Sequence, residues 1–229
     1  MSKTLNPAKK LLKSRTTSGL RSAIREVRKE WRLCCRHRST LRRVPQFLRT
    51  RVPLKLNLGS GPNIKPGWLN IDLFDPGADL QLDLREPWPF PNDSVSYIYS
   101  EHVFEHFEFM HEVPHFLAES KRVLCPGGVF DVAVPDTEWP IRAYGNSEDR
   151  FWRLGPHTCY PAWCETHLDY INYHFRQAGA HKYAWDAETL ARSLDRAGFT
   201  SISQREFDPA LDTEYRRTGT LYMRGLKSS

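Results

Sequence analysis

The sequence predicts an α/β protein built on an open sheet, with its ligand site at the carboxyl ends of the strands. Three observations carry that expectation. From Leu54 onward, short apolar runs alternate with helical stretches. The stretch LNLGSGPNIKPGWLNID, residues 56–72, joins two such runs through a glycine-rich turn and ends in an acid. AETLARSLDRAGF has the pattern of an amphipathic helix closed by Gly198 at its C-cap.

In chain order, the first element is a basic arm. Residues 1–51 hold 16 Lys and Arg against two acids, a net of +14, whereas the remainder holds 17 basic and 25 acidic residues, a net of −8. The overall excess of positive charge therefore belongs to an extension on an acidic body, and the chain divides into a basic, partly helical segment 1–51 and a body 52–229. Leu20, Ile24, Val27, Trp31 and Cys34 or Cys35 recur at helical spacing with arginines between them, which predicts an amphipathic helix over 18–38. Such a helix suits an anionic membrane surface, nucleic-acid phosphates, or packing on the body. Because the first 25 residues lack acids, a transit segment is a further reading. No apolar run approaches the roughly eighteen residues that span a bilayer. Five cysteines, odd in number and without CxxC spacing, fit a reduced, cytoplasmic setting.

In the body, LKLNL (54–58), WLNIDLF (68–74), ADLQLD (78–83), VSYIYS (95–100) and VFDVAV (129–134) read as strands. EHVFEHFEFMHEVPHFLAESKRVL reads as a helix broken or restarted near Pro114. After the late helix, TSISQREF and GTLYMRGL are two last strands. Only nine residues, Gly59 to Gly67, separate the first two runs, where parallel strands usually need about a dozen or more. Either a shortened crossover or a hairpin satisfies that spacing. Pro62 and Pro66 oppose a long helix here, and a hairpin would leave Asp72 and Gly59 without a shared ligand.

Gly59-Ser60-Gly61 after the first strand, Asp72 ending the second, Asp83-Leu84 ending the third, Ser100-Glu101-His102 after the fourth, the LCPGG turn and the late AGF helix together resemble a class I S-adenosylmethionine-dependent methyltransferase. More narrowly, they resemble compact bacterial predicted methyltransferases, some linked to surface-polysaccharide synthesis. The resemblance spans about residues 54–226. It implies a Rossmann-like seven-stranded sheet of order 3-2-1-4-5-7-6, with the first crossover helix cut to about a turn. It also implies S-adenosyl-L-methionine as cofactor, held by Asn57, Gly59, Ser60, Gly61, Asp72, Leu73, Asp83, Leu84, Ser100 and Glu101. In this assignment Asp72 accepts hydrogen bonds from the ribose hydroxyls and Asp83 from the adenine amino group, while the glycines let backbone N–H groups approach the methionine carboxylate. Asn57 stands where much of the wider family has an acid.

His102, His106 and His181 are the candidate proton acceptors for a hydroxyl substrate. His102-Val103-Phe104-Glu105-His106 also matches HxxEH, the inverted zinc-peptidase motif. A third ligand, usually a downstream Glu, is not assignable from the sequence, and the motif's place after a sheet strand suits the methyltransferase, so no metal is assigned. Residues 136–184 form an insertion too long for a plain connection. Its many Trp, Tyr and Phe residues, interleaved with arginines, suit a lid over an acceptor pocket or a small core of its own. The favoured reading is O-methylation of a glycan or glycolipid precursor at the inner face of a membrane. The alternatives are an RNA methyltransferase, a non-catalytic cofactor-binding module and, as outsider, a zinc hydrolase.

Overall fold

The computed structural model describes residues 16–50, 53–147, 149–154 and 160–228. The first fifteen residues, which carry most of the transit-segment reading, and residues 51–52 at the expected domain boundary lie outside them. The chain runs α1 (Ser18–Leu41), α2 (Val44–Thr50), β1 (Leu54–Leu58), β2 (Leu69–Ile71), β3 (Val95–Glu101), α3 (Glu112–Val123) and β4 (Leu124–Pro135). It continues through α4 (Glu138–Tyr144), α5 (Arg150–Leu154), α6 (His167–Arg176), α7 (Ala187–Arg196), β5 (Phe199–Gln204) and β6 (Thr220–Lys227).

These strands form one six-stranded sheet of order β2-β1-β3-β4-β6-β5. β2, β1, β3 and β4 are parallel, and β6 inserts antiparallel between β4 and β5. The expected third strand, residues 78–83, is reduced to a single parallel bridge between Ile71 and Leu80. β2 is only three residues long, so it offers that edge little backbone to pair with. The asparagine and aspartate near it turn inward instead: the Asp79 carboxylate accepts from the backbone N–H of Asn70 at 2.8 Å.

Register distinguishes a crossover from a hairpin in the link between β1 and β2. Leu56, Asn57 and Leu58 pair in parallel with Leu69, Asn70 and Ile71, so the nine-residue link is a true crossover. Asn57 holds it together. Its Nδ2 donates to the Asn63 carbonyl at 3.0 Å and to Asn70 Oδ1 at 2.9 Å, and Asn70 Oδ1 also accepts from the Lys65 backbone N–H. An acid at position 57 has no proton to donate to those two oxygens. Asn57→Asp is therefore expected to lower stability by about 1–3 kcal/mol through the unsatisfied buried acceptors, read as a fall in the thermal midpoint at neutral pH that reverses partly in acid.

The core lies on both faces of the sheet. Leu56, Leu58, Ile71, Ile98, Phe130, Val132 and Val134 are fully buried, the near-continuous apolar pattern of strands covered on two sides. Phe116 of α3 packs edge-on against Trp88 and tilted against Phe104. Phe104 in turn stacks on Trp185 at 4.9 Å. The expected long helix after β3 is split: residues Phe104–His106 make one 3-10 turn, and α3 starts only at Glu112. Pro114 then sits in the first turn, where a missing N–H costs little. The break follows the turn, where Phe107 is extended with φ −89° and ψ 141°, while His102, with φ +55°, lies ahead of both pieces.

One charge cluster lies inside the sheet. The fully buried Asp131 carboxylate accepts from the Tyr97 hydroxyl and from Arg224 Nε and Nη2, both at 2.8 Å, with Arg205 Nε 3.4 Å away. It ties β3, β4 and β6 to the start of the β5–β6 connection.

The basic helix α1 docks, but not through the face its periodicity suggested. Leu33 and Thr40 are the buried residues, His37 Nδ1 accepts from the Asp83 backbone N–H, and Glu30 pairs with Arg85 at 3.0 Å. Val27 and Trp31 on the expected apolar stripe are 69% and 70% exposed. No helix among the described residues is long and apolar enough to cross a membrane.

Candidate functional site

The carboxyl ends of β1, β2 and β3 meet at one polar hollow lined by Asn57, Gly59, Ser60, Asn63, Lys65, Tyr99, Glu101 and Arg216. Gly59 has a φ of +66° and faces Val103 so closely that a Cβ would lie 2.0 Å from Val103 Cγ2. Gly61, with φ +47°, faces open space. Asp72 braces this turn: its Oδ2 accepts from the Gly61 N–H at 2.9 Å, and its Oδ1 accepts from the Phe74 and Asp75 N–H groups at 2.7 and 2.8 Å. The acid at the end of β2 and the glycine turn after β1 are thus in contact, as a common ligand for both requires.

Sequence reasoning missed the residues that fill the hollow. The Lys65 ammonium reaches the Leu211 carbonyl and lies 4.5 Å from the Tyr99 ring centroid; burial lowers its pKa, with Glu101 and Asp212 opposing that shift. Residues 205–219, joining β5 to β6, strap over the end of β3. Asp212 accepts from Tyr99 and Arg205, the Thr213 backbone N–H and hydroxyl donate to the Glu101 carboxylate, and Arg216 donates to the Glu101 carbonyl at 3.1 Å. About 10 Å³ remains free, room for roughly one water. The signal that could have revealed this strap was the density of Asp, Arg and Thr between the last two strands.

The donor set suits an adenosyl amino acid. Glu101 is an anion for an ammonium or sulfonium, Lys65 and Arg216 are cations for a carboxylate, and Asp72 is a partly exposed carboxylate for hydroxyls. Since a ligand of that size needs several hundred Å³, its entry requires the Lys65 side chain and the strap to withdraw.

Asp83 stands apart from that hollow. Arg85 engages its carboxylate through Nε and Nη2, at 2.9 and 2.7 Å, and holds its pKa down against the effect of burial. Asp83 lines a second cavity of about 440 Å³ together with Glu30, His37, Arg38, Arg85 and Glu112, beneath α1. Leu84 is buried in the core and its carbonyl accepts from Trp88 Nε1. Leu73 is half-buried beside Asp72, and the Ser100 hydroxyl is buried without a partner among the described residues.

The three histidines do converge. Glu105, in the 3-10 turn after β3, is 2% exposed, and its Oε1 lies 3.9 Å from His102 Nδ1, 3.8 Å from His106 Nε2 and 3.9 Å from His181 Nε2. The Glu105 carbonyl accepts from the Lys182 and Tyr183 N–H groups, which pins the end of the insertion against this turn. Burial pushes the Glu105 carboxyl up to about 8. Burial likewise lowers His181 and His174 to about 4, and His102 well below its ordinary value. The HxxEH pair is not the one-turn helical chelate its spacing suggests, because His102 lies outside the 3-10 turn.

The insertion is anchored by a parallel bridge between Asp136 and Trp185. Among its described residues the aromatics pack chiefly on one another: Trp139 and Trp152 against Phe151, Trp152 stacked on His167 at 3.8 Å, and Tyr160 near Tyr170 and Tyr173. Tyr144 and Trp163 remain exposed.

A largely parallel α/β sheet whose second-to-last strand is antiparallel, with a glycine turn after its first strand and an acid closing the second, has the architecture of a class I methyltransferase. The chain belongs to that family: the methyltransferase-domain model matches residues 57–204, and the protein is an S-adenosylmethionine-dependent methyltransferase. Similar solved structures include a SAM-dependent methyltransferase from Archaeoglobus fulgidus (12% identity over 83% of this chain and 94% of that one, TM-score 0.47). Another is an S-adenosylmethionine-dependent methyltransferase from Mesorhizobium loti (19%, 76% and 90%, TM-score 0.45). A third is phosphoethanolamine N-methyltransferase 2 of Haemonchus contortus in complex with S-adenosyl-L-methionine (12%, 84% and 53%, TM-score 0.46). Curated proteins give no match.

Proposed function

We propose that this methyltransferase O-methylates a hydroxyl on a glycan or glycolipid precursor at the cytoplasmic face of a membrane. The observation that carries the reading is the adjacency of Glu101 and His102 at the end of β3: one lines the cofactor hollow, and the next opens the histidine cluster. A hydroxyl acceptor must lose a proton as it is methylated, and neutral imidazoles on the acceptor side receive one. His102, the ring next to Glu101, takes that role. The bound cofactor supplies an electrophilic methyl group on a sulfonium. Asn57, Gly59, Ser60, Gly61, Ser100 and Glu101 surround its methionine end, while Asp72 and Leu73 hold the ribose. Asp83 and Leu84 serve the adenine, which requires Asp83 to share its carboxylate with Arg85.

Residues 52–229 form the catalytic unit, the insertion 136–184 closes over the acceptor, and residues 18–38 of the N-terminal extension attach the enzyme to its surface. Leu20, Val27 and Trp31 fall on one stripe of α1, all at least half exposed among arginines. Such a stripe suits the interface of an anionic leaflet, where each basic residue contributes about 1 kcal/mol. Changing Val27 and Trp31 together to serine is expected to reduce binding to phosphatidylglycerol-containing vesicles about tenfold or more while leaving the fold intact; sedimentation of both proteins with vesicles at two salt concentrations reads this out. Vesicle binding unchanged by the double substitution rejects the attachment role, and RNA sedimentation lost with the same residues favours the nucleic-acid alternative.

The acceptor is tested by incubating the enzyme and isotope-labelled S-adenosylmethionine with a membrane extract, followed by mass spectrometry of products. Label on an oxygen of a lipid-linked or free glycan is the expected result. Label confined to RNA, or to nitrogen of a small amine, overturns it.

A further inference from the structure

The histidine cluster has a feature that proton transfer alone leaves unexplained. His106 Nδ1 donates to the Ala180 carbonyl at 3.0 Å, and His181 Nδ1 donates to the His174 carbonyl at 2.9 Å. A carbonyl only accepts, so each Nδ1 carries its ring's proton and each Nε2 presents a lone pair. Both Nε2 atoms face the Glu105 carboxylate, at 3.8 and 3.9 Å. Thr220 extends the pattern: its hydroxyl donates to the Arg216 carbonyl at 2.6 Å, so it accepts from His102 Nε2 at 2.9 Å. His102 Nδ1, 3.9 Å from the same Glu105 oxygen, is then also bare. Glu105 Oε2 is buried with no hydrogen-bond partner among the described residues. Lone pairs converge on a carboxylate across gaps too wide for hydrogen bonds.

We propose that Glu105, His106 and His181 bind a divalent first-row transition metal ion, with His102 beside the site. Their ligand atoms already lie within 4.8 Å of one another. Two imidazoles and a carboxylate are the donors such ions prefer, and each ligand histidine donates its other ring N–H to a backbone carbonyl, the arrangement that aims and fixes metal-binding imidazoles. Ligand atoms about 2.0–2.2 Å from one ion lie roughly 3.0–3.5 Å apart, so loading draws the Glu105 carboxylate toward each ring by about half an ångström and closes the widest gap, up to 4.8 Å, by about 1 Å. The ion joins the 3-10 turn after β3 to the end of the insertion, 75 residues later, and clamps the aromatic segment to the sheet beside the cofactor hollow.

The test uses the untagged full chain. Elemental analysis of protein as purified, or after chelation and reloading with Zn²⁺, is expected to give one equivalent per chain, and Co²⁺ loading visible d–d absorption. Zn²⁺ should raise the thermal midpoint of the stripped protein. His106→Ala and His181→Ala should each weaken Zn²⁺ binding about 100-fold or more, whereas His167→Ala, which alters a ring stacked on Trp152 away from the cluster, should not. Glu105→Gln repeats the test at the carboxylate if an alanine variant misfolds. Absence of stoichiometric Zn²⁺ and Co²⁺ binding, or affinity unchanged in both histidine variants, overturns the proposal. Calorimetry with S-adenosylhomocysteine reports separately on the cofactor hollow, so failure of the metal site and failure of the methyltransferase site are distinguishable.

Discussion

Asp72→Ala is expected to weaken binding of S-adenosylhomocysteine by about 100-fold or more. Hydrogen bonds to a charged acceptor contribute roughly 1.5–3 kcal/mol each, and a carboxylate gripping two ribose hydroxyls supplies two of them. The same substitution releases the Gly61, Phe74 and Asp75 N–H groups that Asp72 now accepts from. The glycine turn then loses its brace, which adds to the loss. Isothermal calorimetry measures the affinity, and a thermal scan of the ligand-free protein isolates the structural part. A dissociation constant within about threefold of the parent places the ribose elsewhere and removes Asp72 from the cofactor site.

Gly59→Ala is expected to destabilise the fold by about 2–5 kcal/mol. The left-handed backbone costs an alanine about 1–2 kcal/mol, and forcing a methyl into Val103 adds roughly 1–3 kcal/mol. Gly59 has φ +66°, and the added Cβ meets Val103 Cγ2 at 2.0 Å and Val103 Cβ at 3.1 Å. For a chain of this length the thermal midpoint should fall by about 5–15 °C. The two causes separate in a double substitution. Val103→Ala removes the two methyl groups that clash, so Gly59→Ala combined with Val103→Ala should recover the steric part and keep the backbone strain. Purely additive losses in the pair would mean that the turn relaxes away from Val103 and that packing does not select glycine here.

These two positions show why part of the site was legible. A glycine needed for its backbone and an acid needed at a strand end are local requirements, so Gly59, Gly61 and Asp72 carry their purpose in their spacing. His106 and His181 did not. They are 75 residues apart, and only the pinning of the Lys182 and Tyr183 N–H groups on the Glu105 carbonyl brings them to one carboxylate. The HxxEH string marked the right turn and assigned the wrong geometry, because a left-handed His102 interrupts the helix that such a string presumes. Lys65 and the 205–219 strap were invisible for the same reason: Lys65 reaches Leu211 across 146 residues.

The class of this protein is written in local pattern: the alternation of strand and helix, the glycine turn, the acids at strand ends and the late helix closed by Gly198. Each follows from rules that act within a few residues, namely side-chain periodicity and backbone freedom. That the nine-residue link is a parallel crossover emerges only in three dimensions, since hydrogen-bond register is a relation between strands. Tertiary packing also sets which face of α1 docks. Periodicity marks an apolar stripe on a helix, but the partner surface chooses the contact, and here Glu30, Leu33, His37 and Thr40 meet the body while Trp31 faces outward.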